Sequence, residues 1–112
     1  MDLGGPDPRE GDTALAALLL AHGMIMNGGV DHALEALSKE QYAAAVRGFR
    51  YFGLSEAAAV LEKAAAGVPD AAALDVEYGR VVSDDGRLVH AFRLKLVASP
   101  EAFAPISTVR HA

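Results

Sequence analysis

Few side chains in this 112-residue chain are of types that do chemistry, and their spacing narrows the options further. His32 and Glu35 stand three residues apart, which on a helix puts an imidazole and a carboxylate on one face, half of a metal site. Metal sites in helical bundles draw matching ligands from other helices, and no second half occurs in the chain, so His32 reads as a surface histidine beside solvated acids. His22 and His90 read as packing or surface residues. The chain has no cysteine, which excludes disulfides and thiolate chemistry and is compatible with a reducing compartment. Gly28-Gly29 lacks the G-x-G-x-x-G or G-K-[ST] pattern of a phosphate loop and follows a helical segment instead of a strand, so it reads as a backbone corner. Tyr42, Phe49 and Phe52 recur at helical spacing and are core residues before they are a base-stacking platform. These residues supply no catalytic, metal or cofactor site, and the sequence points to a non-enzyme. The alternative is a small enzyme or metal-binding helical protein whose site the spacing does not reveal.

Those residues need elements to hold them, and the stretch from Asn27 to Ala66 is the organising one. Asn27-Gly28-Gly29 suits a helix end, because Asn and Gly tolerate the left-handed backbone that closes one. Val30, Ala33, Leu34 and Leu37 then fall at i, i+3, i+4 and i+7 and predict a second helix with a single apolar face. Ser38 and Gln41 have the spacing of a capping box, so a third helix should start there, carrying Tyr42, Ala45, Val46, Phe49 and Phe52 and ending at Gly53. Ser55 is placed to cap a fourth helix through Ala58, Leu61 and Ala65, stopped by Gly67 and Pro69. Upstream, Asp12 or Thr13 is placed to cap a first helix with Leu15, Leu18, Leu19 and His22 on adjoining turns, reaching about Met26. Apolar residues wrap widely around that helix, so it should be central or covered by a neighbouring subunit.

Beyond Pro69 two readings compete. Asp70 and Ser83 are positioned to cap helices through Leu74, Tyr78, Val81 and Val82, and through Leu88, Val89, Phe92 and Leu96. Asp85-Gly86 is also a hairpin turn signal, and alternation from Leu88 to Leu96 suits a half-buried strand. Ser99-Pro100-Glu101 then looks like a helix start, with Phe103 returning to the core. The favoured fold is an all-α compact bundle of five to seven short helices, with Leu19, Val30, Leu34, Leu37, Val46, Phe49, Leu61, Tyr78 and Phe92 inside. The alternative is α+β with a C-terminal β-hairpin at about 75–97. Residues 1–11, rich in Gly, Pro and Asp, read as a disordered tail, 12–105 as one domain and 106–112 as a frayed end.

Hydrophobic residues make up 52% of the chain and the formal net charge is −5. The charge is uneven: residues 1–40 hold two bases against seven acids, 41–66 three against two, 67–86 one against five, and 87–112 four against one. There is no basic footprint for direct nucleic-acid or anionic-membrane binding, and a charge of this size suffices for solubility. Asp2, Asp7, Glu10 and Asp12 against Arg9 are the wrong charge for a secretory leader, and the apolar run from Ala14 to Ala21 is too short to span a bilayer, so the chain reads as soluble and cytoplasmic.

Asn27-Gly28-Gly29-Val30, the segment from Tyr51 to Ala64, Leu74-Asp75, Tyr78 and Pro100-Glu101-Ala102-Phe103 together resemble the DMP19-like domain family, a domain of unknown function, over roughly Leu15 to Phe103. Val30 stands where the family usually has an aromatic residue and His32 where it has Gln. The resemblance implies an all-helical fold, and one family member is described as imitating the charge of DNA to occupy a DNA-binding partner. If that carries over, Asp70, Asp75, Glu77, Asp84 and Asp85 form the candidate acidic patch. The function so implied is binding of another protein through an acidic or apolar helical surface, with the partner's identity open and a homodimer among the options.

Overall fold

The computed structural model describes residues 9–67, 70–82 and 84–103. Six α-helices follow one another: α1 (Glu10–Gly28), α2 (Val30–Ala36), α3 (Lys39–Tyr51), α4 (Ser55–Ala65), α5 (Ala71–Val81) and α6 (Asp85–Ala98), with a closing 3₁₀ turn at Pro100–Ala102. No strand occurs among the described residues, and the β-hairpin alternative at 75–97 is not supported.

Local chemistry accounts for most of the breaks. At the head of α3 the Ser38 hydroxyl accepts the Gln41 N–H at 3.0 Å while the Gln41 side-chain oxygen accepts the Ser38 N–H at 2.9 Å, a reciprocal capping box. The helix closes through Gly53 at φ 78°, where the Gly53 N–H reaches the Arg50 carbonyl at 3.0 Å and the Leu54 N–H reaches the Phe49 carbonyl at 2.8 Å. That is the Schellman pattern, and it needs a left-handed residue. Asp70 caps α5 by accepting the Ala73 N–H at 3.0 Å, and Asp84 caps α6 by accepting the Arg87 N–H at 3.2 Å.

Three expected starts differ. Ser55 is the first residue of α4 and does not cap it: Leu54 occupies the cap position and no side chain bonds there. Ser83 lies outside the described residues, as do 106–112, and the cap of α6 is its neighbour Asp84. Helix α1 begins at Glu10 instead of Asp12 or Thr13. Arg9 takes the cap position, and the Asp12 carboxylate accepts its N–H at 3.0 Å. The Arg9 guanidinium also donates to the carbonyls of Glu101 at 3.2 Å and Phe103 at 3.4 Å, so the start of α1 is tied to the closing turn. Arg9 to Gly11, read as part of a tail, therefore belong to the fold, and the tail's first eight residues lie outside the described set.

The core is layered on α1 and α3. Leu18, Ala21 and Ile25 of α1 meet Ala45 and Phe49 of α3, with Ala57, Val60 and Leu61 of α4 and Leu74 and Tyr78 of α5 completing it. Phe49 and Tyr78 pack edge to face with ring centroids 6.1 Å apart, and a second aromatic group, Phe52, Phe92 and Phe103, fastens α6 and the closing turn to the end of α3. Of the residues expected inside, Val30, Leu37, Val46, Phe49, Leu61 and Tyr78 are buried, and Leu34 and Phe92 are half-buried. Leu19 is 46% exposed. The inward face of α1 runs through Leu18, Ala21, His22 and Ile25, a 3.6-residue period that leaves Leu19 on the far side.

Candidate functional site

The corner after α1 is the most constrained point in the backbone. Gly29 has φ 90° and ψ 174°, a region essentially reserved for glycine. Directly across from it, Asp75 Oδ1 accepts the Val30 N–H at 2.8 Å, and a Cβ on Gly29 would lie 2.8 Å from Asp75 Oδ2. Asn27 and Gly28 are the last residues of α1, so the sequence motif is the end of one helix and the hinge into the next.

That contact changes what the acidic cluster is. Asp75 caps the first N–H of α2, Asp70 and Asp84 cap their own helices, and Glu77 pairs with Lys63 at 3.4 Å. Asp85 is the first residue of α6. All of these carboxylates were singled out as a partner surface, and four of them also hold the backbone or a neighbouring side chain.

Each chemical candidate has a definite place in the fold. His32 packs against Gly28, where an added Cβ would lie 2.7 Å from the imidazole Cγ, while Glu35 is exposed. Among the described residues no three His, Cys, Asp or Glu side chains gather closely enough to hold a metal. His22 is buried, with Nδ1 2.8 Å from the Tyr78 hydroxyl, so it is a polar joint between α1 and α5. His90 is exposed on α6. Tyr42 is buried and donates its hydroxyl to the Leu61 carbonyl at 2.7 Å; burial, helped by the Asp31 carboxylate, pushes its pKa up to about 12. Phe49 and Phe52 are core residues too.

Two surface features were not visible as units in the sequence. The first is the outer face of α1. Ala16, Leu19, Gly23 and Met26 are exposed at alternating spacings of three and four, with Leu20 beside them; Leu19, Leu20 and Met26 are 46%, 39% and 65% exposed. No Asp, Glu, Lys or Arg occurs between Asp12 and Asp31. The second is a groove of about 570 Å3 framed by α2, α3 and α4. Leu34, Tyr42 and Val46 form its apolar floor, Lys39 and Arg47 stand on its rim, and Arg50 closes one wall by pairing bidentately with Glu62 at 2.6 and 2.8 Å. The Arg50 hydrogen bond holds the Glu62 carboxyl below the usual glutamate range.

No helix among the described residues is long and apolar enough to cross a membrane. A family model described as DMP19-like protein matches residues 8–93, most of the chain, and the chain belongs to that family. No curated protein and no solved structure matches it.

Proposed function

We propose that this member of the DMP19-like family is a non-enzymatic interaction domain, binding another protein through the uncharged outer face of α1, with the acidic residues of 67–86 steering the approach. The observation that carries this reading is the run of exposed apolar side chains, Leu19, Leu20 and Met26, on a face without a single charged residue. Exposed apolar groups that cluster on one face of a small domain mark interaction surfaces. The alternating three-and-four spacing of Ala16, Leu19, Gly23 and Met26 is that of a helix seam, with small residues at two positions that let a second helix come close.

A second copy of the chain is one candidate partner. Each protomer carries a net charge of −5, and a face free of charge is where two copies meet with least repulsion. The test is a pair of baits, wild type and Leu19→Glu/Met26→Glu, used for affinity purification from the native organism and run in parallel by sedimentation velocity. Both substitutions lie on exposed positions, so the helical circular dichroism should be unchanged. A protein retained by the wild type and lost with the variant, or a concentration-dependent dimer that the variant abolishes, is the expected result. If both baits retain the same proteins and both chains sediment as the same species, the α1 face is not the binding surface.

A further inference from the structure

The α2–α3–α4 groove is an apolar trough with cations at both ends, on a chain whose net charge is −5. Along α3, Lys39, Tyr42, Ala43, Val46, Arg47 and Arg50 all line it, following the i, i+3, i+4, i+7, i+8, i+11 pattern of one helix face. At 1.5 Å of rise per residue that face runs about 16 Å, roughly three turns. Lys39 and Arg47 are exposed and have no ion pair among the described residues; Arg50 is committed to Glu62. The two uncommitted cations stand about 12 Å apart along the axis, with Tyr42, Ala43 and Val46 between them.

We propose that this groove binds a short amphipathic helix of a partner protein, with apolar side chains seated over Tyr42, Ala43 and Val46 and carboxylates about two turns apart pairing with Lys39 and Arg47. The inference rests on the interaction-domain reading and assigns it a second, chemically distinct surface. Charge complementarity selects the occupant. A basic segment would meet two unpaired cations, and a second copy of this chain would have to present an apolar row bracketed by acids. A single-headed amphiphile such as a fatty acid would use one cation and leave the other unmet, whereas a helix with acids eight residues apart meets both. Apolar anchors in a groove supply affinity and flanking charges supply selectivity and rate.

The test is selection from a displayed library of randomised helical 15-residue peptides on the full-length chain, followed by fluorescence anisotropy of the enriched peptides against four proteins: wild type, Lys39→Glu/Arg47→Glu, Ala43→Trp and Leu19→Glu/Met26→Glu. Ala43 is exposed, so the indole fills the groove without entering the core. The expected result is enrichment of peptides with acids bracketing apolar residues. Their affinity should fall at least tenfold on the charge-reversed variant, be lost on Ala43→Trp and stay unchanged on the α1 variant. Peptides that bind all four proteins alike, peptides lacking the acid bracket, or no enrichment at all would overturn the assignment. Loss only on the α1 variant would overturn the groove while sustaining the interaction-domain reading.

Discussion

Gly29 was legible in the sequence as a corner, yet the reason for its identity is double. Its backbone sits where non-glycine residues are strained, and the Asp75 carboxylate fills the space that a side chain would need. Gly29→Val should therefore destabilise by roughly 1–3 kcal/mol, read as a lowered midpoint in urea unfolding. An unchanged midpoint would mean that the corner relaxes freely. The half of this arrangement supplied by Asp75 lies 45 residues away and could not be read from spacing. Tyr42 gives a second residue-scale test, through pH. Its folded-state pKa is raised from 10.0 to about 12, so the folded chain keeps this proton where the unfolded chain has lost it. The stabilisation from the neutral phenol is complete below about pH 10 and is lost as pH rises towards 12. Tyr42→Phe should lower stability at neutral pH by about 1 kcal/mol, through the missing bond to the Leu61 carbonyl. Between pH 10 and 12 the wild type should fall more steeply than the variant. Parallel stability curves over that window would show that another group governs the alkaline limb.

At the scale of the helix, what the sequence reveals depends on how local the cause is. The Ser38–Gln41 box and the Gly53 and Gly67 stops are fixed by residues within a few positions of one another, and all three stand where spacing put them. The 75–97 segment was ambiguous because Asp85-Gly86 serves a hairpin or a first helical turn equally well. The helix is set by the Asp84 cap and by Leu88, Ala91 and Phe92 packing on the core, while Leu94 and Leu96, which made the alternation persuasive, point to solvent. Packing also decides Gly48. Alanine is the better helix former by about 1 kcal/mol, so propensity alone predicts that Gly48→Ala stabilises α3. The structure predicts the opposite, since the new Cβ would lie 2.5 Å from the Ala14 carbonyl oxygen where α1 crosses α3. Backbone at that distance has to move, and overpacking of this kind costs about 1–3 kcal/mol. Gly48→Ala should lower Tm in calorimetry; a raised Tm would show that the crossing has slack.

For the molecule as a whole, both proposed surfaces are products of assembly. The groove takes its walls from three helices and was not legible as a site; the wide apolar wrap of α1 was legible, but which side stays exposed was decided only when the inward stripe settled on Leu18, Ala21, His22 and Ile25. The acidic segment was legible as charge and Asp70 as a cap, whereas the capping roles of Asp75 and Asp84 were not. Three of its carboxylates are caps, and that distinction makes its steering role testable without wrecking the fold. Asp75→Asn, Glu77→Gln, Asp84→Asn and Asp85→Asn together take the net charge from −5 to −1. Asn keeps an acceptor oxygen for the Val30 and Arg87 N–H groups and ranks with Asp as a cap. The Glu77–Lys63 pair that is lost is partly exposed and contributes little. Circular dichroism and Tm should therefore change little. Asp75→Ala, in contrast, leaves the Val30 N–H without its acceptor and should destabilise by about 1–3 kcal/mol. Against a partner that the wild type retains through the α1 face, the charge-neutral variant should associate more slowly in stopped-flow at low salt, with a flatter dependence on ionic strength, because exposed charges act mainly on the rate of encounter. Equal association rates at low salt would reduce these acids to their capping roles, and the apolar face of α1 would then have to account for recognition alone.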